Sequence, residues 1–369
     1  MRTITTGRSP LLCMLTLSLA VGAVAKTVQV GSCLPGIQQY STISKAVIAV
    51  TPGSTVLVCP GNYAEQVTIT QPLSLQGVQT EEAANATIVS PPGGLTQSVI
   101  LPSNGVTAYF QIMAQGTGAG LVNISNLAVD GSNNQVTNGP VLGIYYQNSS
   151  GTIKRVATHN QIAQRSGFGI FLESTTSTVK TVNVTKSSVH DFDSGGIRCN
   201  CPTGMTVDIN SNSITGSNSA SNYSPDEGID MDATGTISNN TVLSNPAPPA
   251  TSQGVGITFK SNMVVTGNTV IGWGAGIWTV GDSNMIKSNR VSKAGGGITL
   301  SGTNNDVENN FLANFPGGAG ISFNCTGSGN TVIHNQVNDA SWGIIDPHGV
   351  NTISPNAFTN VQTLVSDPC

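Results

Sequence analysis

The amino-acid sequence predicts an all-β protein built as a solenoid of stacked parallel strands, and three observations predict this fold class. The chain has 43 glycines and only 9% charged residues, so the residues that usually fill helices are scarce. A Gly-Ile pair recurs along the chain. A second signal, Asn followed two residues later by an aliphatic residue, is interleaved with it. Such self-similarity indicates a stacked array.

The N-terminal residues have the pattern of a secretion signal. Arg2 and Arg8 precede an apolar run, and Ala23-Val24-Ala25 is a small-x-small cleavage site. We therefore expect residues 1–25 to be a signal peptide and residues 26–369 to be a domain exported to a periplasmic or extracellular compartment. No later stretch approaches the roughly 20 apolar residues of a transmembrane helix, so no membrane span is expected.

The charge balance restricts the partners. Without the two signal arginines, 12 Lys and Arg stand against 18 Asp and Glu, a net charge of 12 − 18 = −6. This balance argues against a nucleic-acid partner, because phosphate binding requires clustered positive charge. An anionic ligand would have to bind where basic side chains are locally concentrated.

Residues 26–78 are expected to form an N-terminal cap and the first coils. After Thr42, apolar residues follow the i, i+3, i+4, i+7 spacing of a short amphipathic helix, which Pro52 ends. These residues are Ile43, Ala46, Val47 and Val50. Such a helix would cover the open first coil, whose strand edges would otherwise be unpaired.

The Gly-Ile pairs predict the coils. They begin at Gly143, Gly169, Gly196, Gly228, Gly256, Gly276, Gly297, Gly320 and Gly343, with gaps of 20 to 32 residues. Each unit contains short alternating strands between Gly, Asn and Ser turns, and none has a helical period. We therefore predict a parallel coil in which each strand pairs with its copy one turn away, about 4.8 Å off.

The repeated asparagines are expected to be structural. They are Asn160, Asn212, Asn240, Asn268, Asn289, Asn310 and Asn335. Asparagine tolerates the left-handed conformation of a sharp bend. It can also bond to the asparagine of the next coil and satisfy turn amides.

With these repeats, the chain after residue 25 resembles the right-handed parallel β-helix proteins of the pectin-lyase-like superfamily. Its segment 40–77, YSTISKAVIAVTPGSTVLVCPGNYAEQVTITQPLSLQG, is similar to the entry of pectin methylesterases. The resemblance implies a single-stranded right-handed parallel β-helix with an N-terminal capping helix. It also implies that the protein is a monomer and that its partner is a polysaccharide.

The stretch DEGIDMD, residues 226–232, concentrates acidic residues in a chain with few charges. If the Ile after each Gly faces inward, Met231 also faces inward, whereas Asp230 and Asp232 face outward. The same parity predicts two outward columns along the coils. The first is Tyr145, Phe171, Arg198, Asp230, Thr258, Trp278, Thr299 and Ser322. The second is Gln147, Glu173, Asn200, Asp232, Lys260, Val280, Ser301 and Asn324.

These columns contain the predicted catalytic residues. The Cα atoms of Asp230 and Asp232 should lie about 6.7 Å apart along one strand. Carboxyl groups at about 6.5 to 9.5 Å suit acid and base work in an inverting glycoside hydrolase. Alternatively, Arg198 or Lys260 could neutralise a uronate carboxylate or abstract its α-proton in a lyase. The same charges could instead pair across neighbouring coils as exposed ion pairs.

Other residues of the columns are candidates for substrate binding. Phe171 and Trp278 offer flat faces for a sugar ring, and Glu173, Asn200 and Thr258 complete the predicted surface. Asp226 and Glu227, placed in the turn before the strand, could supply oxygen ligands for calcium. No other cofactor is predicted.

Family motifs narrow the activity only partly. DEGIDMD resembles the NTDGID element of polygalacturonases, but their Gly-His-Gly and Arg-Ile-Lys elements are absent, as is the methylesterase signature. WGIIDPHG at 342–349 resembles the Asp-Pro-His element of mannuronan C5-epimerases. The sequence therefore predicts a secreted protein that binds and cleaves or modifies a polysaccharide, with uronate-containing chains favoured. The alternative is a non-catalytic carbohydrate-binding or cell-surface structural β-helix.

Six cysteines follow the signal segment, an even number that favours disulfides in an oxidising compartment. Cys201 and Cys325 would lie about five coils, or roughly 24 Å, apart, too far for a bridge. We therefore predict the pairs Cys33–Cys59 and Cys325–Cys369. Cys199 and Cys201 are left either as a local bridge or as two thiols.

Overall fold

The computed structural model describes residues 24–79, 86–118, 120–164, 166–202, 204–216, 227–244, 254–324, 327–346 and 349–366. The strands up to residue 200 are β1 (Thr27–Val30), β2 (Gln39–Tyr40), β3 (Ser54–Val58), β4 (Gly61–Ala64), β5 (Val67–Ile69), β6 (Leu73–Gly77), β7 (Ala86–Val89), β8 (Ser98–Ile100), β9 (Thr107–Gln115), β10 (Leu121–Ser125), β11 (Ala128–Asp130), β12 (Val141–Gln147), β13 (Ser150–Lys154), β14 (Ala157–Gln161), β15 (Gly167–Glu173), β16 (Lys180–Thr185), β17 (Ser188–Phe192) and β18 (Gly195–Asn200). The later strands are β19 (Met205–Asn210), β20 (Ser213–Gly216), β21 (Glu227–Asp232), β22 (Thr234–Ser238), β23 (Thr241–Ser244), β24 (Val255–Phe259), β25 (Met263–Thr266), β26 (Thr269–Ile271), β27 (Ala275–Thr279), β28 (Met285–Lys287), β29 (Arg290–Ser292), β30 (Gly296–Leu300), β31 (Asp306–Glu308), β32 (Phe311–Phe323), β33 (Thr331–Ile333), β34 (Gln336–Ile345), β35 (Thr352–Ile353) and β36 (Ala357–Ser366).

The strands wind into parallel coils, which confirms the predicted fold class. A coil in the middle of the chain contributes one strand to a 14-stranded sheet, sheet A, and two strands to a 22-stranded sheet, sheet B. For example, β19 lies in sheet A, while β20 and β21 lie in sheet B. Among the described strands, β8 and β9 form the one antiparallel pair.

A continuous apolar core fills the coils. The isoleucine of each Gly-Ile pair faces inward and is at most 1% exposed. Successive isoleucines stand in register between coils, and they are Ile144, Ile170, Ile197, Ile229, Ile257, Ile277, Ile298, Ile321 and Ile344. The predicted direction of this column is therefore confirmed.

The glycine before each isoleucine is required by the close approach of neighbouring backbone. A Cβ atom on Gly228 would lie 2.5 Å from the carbonyl oxygen of Gly256 and 2.4 Å from a methyl group of Val242. Both Gly228 and Ile229 are buried, so the regular alternation of the strand is interrupted there. As a result, the residue before the glycine faces outward again.

Asparagine ladders line the turns, as predicted, but the left-handed residue lies one position earlier than expected. The backbone N and the Nδ2 of Asn212 both donate to Asn240 Oδ1, at 2.9 and 3.0 Å. The ladder comprises Asn212, Asn240, Asn268, Asn289, Asn310, Asn335 and Asn356. The residues that precede the first six members have positive φ, and they are Ser211, Asn239, Gly267, Ser288, Asn309 and His334. The ladder side chains are thus free to bond along the stack.

Two predictions about asparagine need further correction. Asn160 lies outside the ladder, because its Nδ2 donates to Asp130 Oδ1 and Ser132 Oγ, each at 2.9 Å. A second ladder, which the sequence analysis missed, runs along sheet A. Its members are Asn284, Asn305, Asn330 and Asn351.

One helix, α1 (Ile43–Ala49), occurs among the described residues. Thr42 is its N-cap and accepts a hydrogen bond from the backbone of Lys45, while Ile43, Ala46 and Val47 are buried. The amphipathic spacing is therefore confirmed. None of the helical structure in the described part of the chain has the length and apolar character needed to cross a membrane.

The residues that the structure describes contain two disulfides. Cys33 is bonded to Cys59, as predicted. Cys199 is bonded to Cys201, which selects the local bridge over two thiols. The predicted partners Cys325 and Cys369 lie outside the described residues, as does most of the predicted signal peptide.

Candidate functional site

The strand register aligns the predicted columns, but the first two members of each column are buried: Tyr145 and Phe171 in the first, Gln147 and Glu173 in the second. Arg198 is in register with Asp230, Asp230 with Thr258, and Thr258 with Trp278. In the second column, Asn200 is in register with Asp232. Parallel pairing therefore brings together side chains from strands β18, β21, β24 and β27 on one surface of sheet B. We call the group Arg198, Glu227, Asp230, Asp232 and Lys260 on this surface the acidic face.

Glu227 does not lie in the predicted turn. It is the first residue of β21 rather than part of the preceding turn, and its side chain lies on the outward surface beside Asp230. The cause is the interruption at Gly228, which turns two consecutive residues inward. The Gly-Ile pair recurs in every coil, and the third outward position is the residue directly before it. The pair is therefore the sequence signal by which this position could have been found.

Arg198 connects the carboxylates of the acidic face. Its Nη1 lies 3.5 Å from Glu227 Oε2, and its Nε lies 3.3 Å from Asp230 Oδ2. The Nε also donates to Asn200 Oδ1 at 3.3 Å. The guanidinium stands over the ring of Phe168, 5.6 Å from the ring centre. Arg198 is therefore held from several sides.

Glu227 and Asp230 form a coupled carboxyl pair. Burial, and next the charge of Asp230, raise the pKa of Glu227 to about 8, although Arg198 opposes the shift. Burial also raises the pKa of Asp230, against the lowering effect of Arg198. The two side chains share a hydrogen bond. At neutral pH Glu227 therefore retains its proton and remains a carboxylic acid.

Asp232 and Lys260 form a separate ion pair. Lys260 Nζ lies 2.5 Å from Asp232 Oδ2, and the lysine side chain is 54% exposed. This pair borders a cleft of about 380 Å³, which Cys201 also lines. Asp232 thus lies at the rim of the acidic face, next to open space.

Phe171 and Glu173 do not form part of an open surface, so their predicted role in substrate binding is wrong. Phe171 is 2% exposed and Glu173 is fully buried. Loop 101–106 covers them, and Glu173 Oε1 accepts from the backbone N of Ser103 at 2.8 Å. The hydroxyl of Tyr145 donates to the other carboxylate oxygen. These residues anchor the loop.

The remaining predicted binding residues lie on the accessible part. Trp278 is partly exposed, and its Nε1 donates to Ser301 Oγ at 3.0 Å. Thr258 and Asn200 are also partly exposed. Their roles in binding stay predictions.

Metal ligation has little support in the described part of the chain. There, no group of three or more His, Cys, Asp or Glu side chains could hold a metal ion. Asp226 lies outside the described residues, as do Pro347 and His348 of the Asp-Pro-His element. His159 on β14 and His190 on β17 stack with their ring centres 5.1 Å apart. Asp130 lies beside His159, and Asp191 lies beside His190.

Comparison with known proteins supports the fold. Residues 193–368, which are 176 of the 369 residues, match the family described as periplasmic copper-binding protein (NosD). The A-module of the mannuronan C-5 epimerase AlgE6 of Azotobacter vinelandii has a TM-score of 0.61 at 14% identity, over 88% of this chain and 90% of that chain. No curated protein matches.

Two further structures are similar. A DFA-IIIase of Arthrobacter chlorophenolicus A6, without its lid and in complex with GF2, has a TM-score of 0.52 at 13% identity, over 90% of this chain and 98% of that chain. Tailspike protein gp49 of Acinetobacter baumannii bacteriophage Fri1, a capsular polysaccharide depolymerase, has a TM-score of 0.51 at 12% identity, over 92% of this chain and 64% of that chain. The in-register parallel coils and these likenesses identify the chain as a parallel β-helix protein.

Proposed function

We propose that this protein binds a polysaccharide along the outward surface of sheet B and hydrolyses a glycosidic bond at the acidic face. The observation that carries this proposal is the Glu227–Asp230 pair, in which one carboxyl group keeps its proton at neutral pH. A protonated carboxylic acid next to an ionised carboxylate is the arrangement that glycoside hydrolysis requires.

In the proposed reaction Glu227 is the general acid. It transfers its proton to the glycosidic oxygen as the bond to the anomeric carbon breaks. Asp230, the carboxylate that shares a hydrogen bond with Glu227, attacks that carbon and forms a covalent intermediate. Water then hydrolyses the intermediate, and Glu227 takes up the proton of that water. Arg198 lies within 3.5 Å of Glu227 and stabilises the carboxylate that remains after the proton has left.

The ion pairs of Arg198 and Lys260 favour hydrolysis over elimination. A lyase mechanism would need Arg198 or Lys260 as the base, yet both contact carboxylates, at 3.3 Å and 2.5 Å respectively. These ion pairs leave the carboxyl groups as the better candidates for proton transfer. A uronate-containing chain remains the predicted substrate, since its carboxylate could compete with Asp232 for Lys260.

The structural relatives are compatible with a carbohydrate ligand. Their descriptions name a mannuronan epimerase and a capsular polysaccharide depolymerase. We further propose an oxidising periplasmic or extracellular location, supported by the disulfides Cys33–Cys59 and Cys199–Cys201. We also propose that α1 caps the first coil, since it contacts β1, β3 and β5.

The copper named in the family description does not fit the described residues. In that part of the chain, no group of three or more His, Cys, Asp or Glu side chains could hold a metal ion, and Cys199 and Cys201 are joined in a disulfide. The proposed reaction therefore includes no copper step. Calcium binding by Glu227 together with Asp226 stays a prediction, and it competes with the contact of Glu227 to Arg198.

A second candidate function is a non-catalytic carbohydrate-binding or cell-surface structural role. It is favoured by the pairing of Arg198 with Asp230 and of Lys260 with Asp232, which join neighbouring coils. An exposed pair such as Lys260 with Asp232 is worth at most about 1 kcal/mol. The two pairs explain the distances between cations and carboxylates, but not the raised pKa of Glu227.

Product analysis separates these functions. The purified protein would be incubated with pectate, pectin, alginate and neutral glycans, with calcium and with chelator, and the products identified by mass spectrometry. We expect saturated reducing ends, and Glu227→Gln should lower the rate about 10²- to 10⁴-fold. Glu308→Gln is the matched control, since Glu308 lies on sheet A. Unsaturated ends would indicate a lyase, and no product on any glycan would favour the non-catalytic role.

A further inference from the structure

Loop 101–106 lies at one end of the acidic face, and we call this loop the wall. It connects the antiparallel strands β8 and β9. Two backbone hydrogen bonds close the loop: Leu101 N donates to Val106 O, and Gly105 N donates to Leu101 O, both at 2.8 Å. Leu101 is buried in a cluster with Tyr145, Phe168 and others on the outer surface of sheet B. The loop thus folds over the coils that precede β18.

The wall is fixed to buried side chains on the outer surface of sheet B and reaches the site. The carboxylate of Glu173 accepts from the backbone N of Ser103 and from the hydroxyl of Tyr145. On the other side, Asn200 Nδ2 donates to Ser103 Oγ at 3.3 Å. Since Asn200 is also bonded to Arg198, the loop ends directly at the acidic face.

The space on the two sides of the Glu227–Asp230 pair is unequal. Toward the wall only one coil, that of β18, separates the pair from the covered strand β15. In the other direction, six coils of sheet B follow, and in the first five of them the outward side chain is partly exposed. These five residues are Thr258, Trp278, Thr299, Ser322 and Ile345. At about 4.8 Å per coil, this gives roughly 5 Å on one side and roughly 24 Å on the other.

We propose that the wall makes the site specific for the end of a polysaccharide chain. The inference rests on the proposed function. A chain lying along the coils can extend over the five open coils, but its other end must stop at loop 101–106. Cleavage at Glu227 therefore removes a short unit from a chain terminus instead of cutting at internal bonds.

The test follows the size of the products over time. A polysaccharide that the protein cleaves would be digested to less than a tenth of its bonds and analysed by size-exclusion chromatography and mass spectrometry. We expect short products to accumulate while the remaining polymer stays long. Early conversion into fragments of intermediate size would overturn the wall inference and leave the proposed function intact. A protein that cleaves no glycan overturns both.

Two variants test the wall directly. Replacing residues 102–105 with two glycines should open the end of the site and raise the share of internal cuts at least several-fold. If that variant does not fold, Glu173→Gln keeps the loop length and removes the anion that holds Ser103, so internal cuts should also increase. Glu308→Gln is the control and should keep the product pattern. Unchanged product sizes in folded wall variants contradict the proposal.

Discussion

At the residue scale, Arg198 is the cation that contacts both carboxyl groups of the Glu227–Asp230 pair. Glu227 and Asp230 would repel each other if both were ionised, and Arg198 relieves only part of this repulsion because it lies over 3 Å from each. Sharing one proton between the two carboxyl groups is the alternative. This proton is available for acid catalysis, since Glu227 holds it at a pH where an ordinary glutamic acid would have lost it.

The raised pKa of Glu227 makes stability depend on pH. In the unfolded chain this proton leaves near the ordinary value of 4.5, whereas in the folded protein it leaves near 8. The folded state therefore binds more protons between these values, and the free energy of unfolding should fall as pH rises through this range. We expect a larger fall in the wild type than in Glu227→Gln, measured by urea denaturation at several pH values. Equal slopes would contradict the raised pKa.

At the element scale, the turns are held by asparagine ladders rather than by the strands alone. Each inner side chain of the ladder, from Asn240 to Asn335, accepts from the asparagine of the preceding coil and donates to the next, so buried turn amides find partners along the stack. Asn268 shows the pattern. It accepts from Asn240, and its Nδ2 donates to Ile237 O at 2.8 Å and to Asn289 Oδ1 at 3.0 Å.

Removing one ladder side chain should destabilise the protein. Asn268 is fully buried, so Asn268→Ala would leave the amide of Asn240 without its acceptor. We expect the free energy of unfolding to drop by about 1–3 kcal/mol, the cost of an unsatisfied buried polar group. Asn338→Ala, at a partly exposed asparagine of β34, is the control and should change stability by less than about 0.5 kcal/mol. Equal effects of the two variants would refute a special role of the ladder.

At the scale of the whole molecule, the coils share one apolar core that runs from Val28 to Ile344. In a stack of this kind each coil contacts only its neighbours, so stability is close to a sum of coil and interface contributions. The middle coils have neighbours on both sides. They also bear the acidic face, which therefore stands on the best-supported part of the stack.

A cavity in this core should be costly. Ile257 is fully buried between Ile229 and Ile277, so Ile257→Ala should lower the free energy of unfolding by about 2–5 kcal/mol. Ile48 is 79% exposed, and Ile48→Ala should change it by less than about 0.5 kcal/mol. Thermal and chemical denaturation of both variants would measure the difference. A small effect at Ile257 would mean that the core tolerates loose packing.

Much of the fold was predictable because stacking makes it periodic. Once the isoleucine of each Gly-Ile pair faces inward, strand alternation sets the outward positions of Arg198, Asp230 and Asp232. The structure has that register. The short helix and the Cys33–Cys59 disulfide were predictable for a similar reason, since both depend on residues close in sequence.

The sequence by itself determined the coil, its register and the outward placement of the two aspartates, because these depend on short-range periodicity. Only the tertiary structure decided that Glu227 joins them, since the close approach of Gly228 to the next coil interrupts the alternation. It also decided that Glu173 is buried, because the contact with Ser103 spans 70 residues of chain. No local pattern specifies a loop that folds back over distant strands, and that loop sets the end of the acidic face.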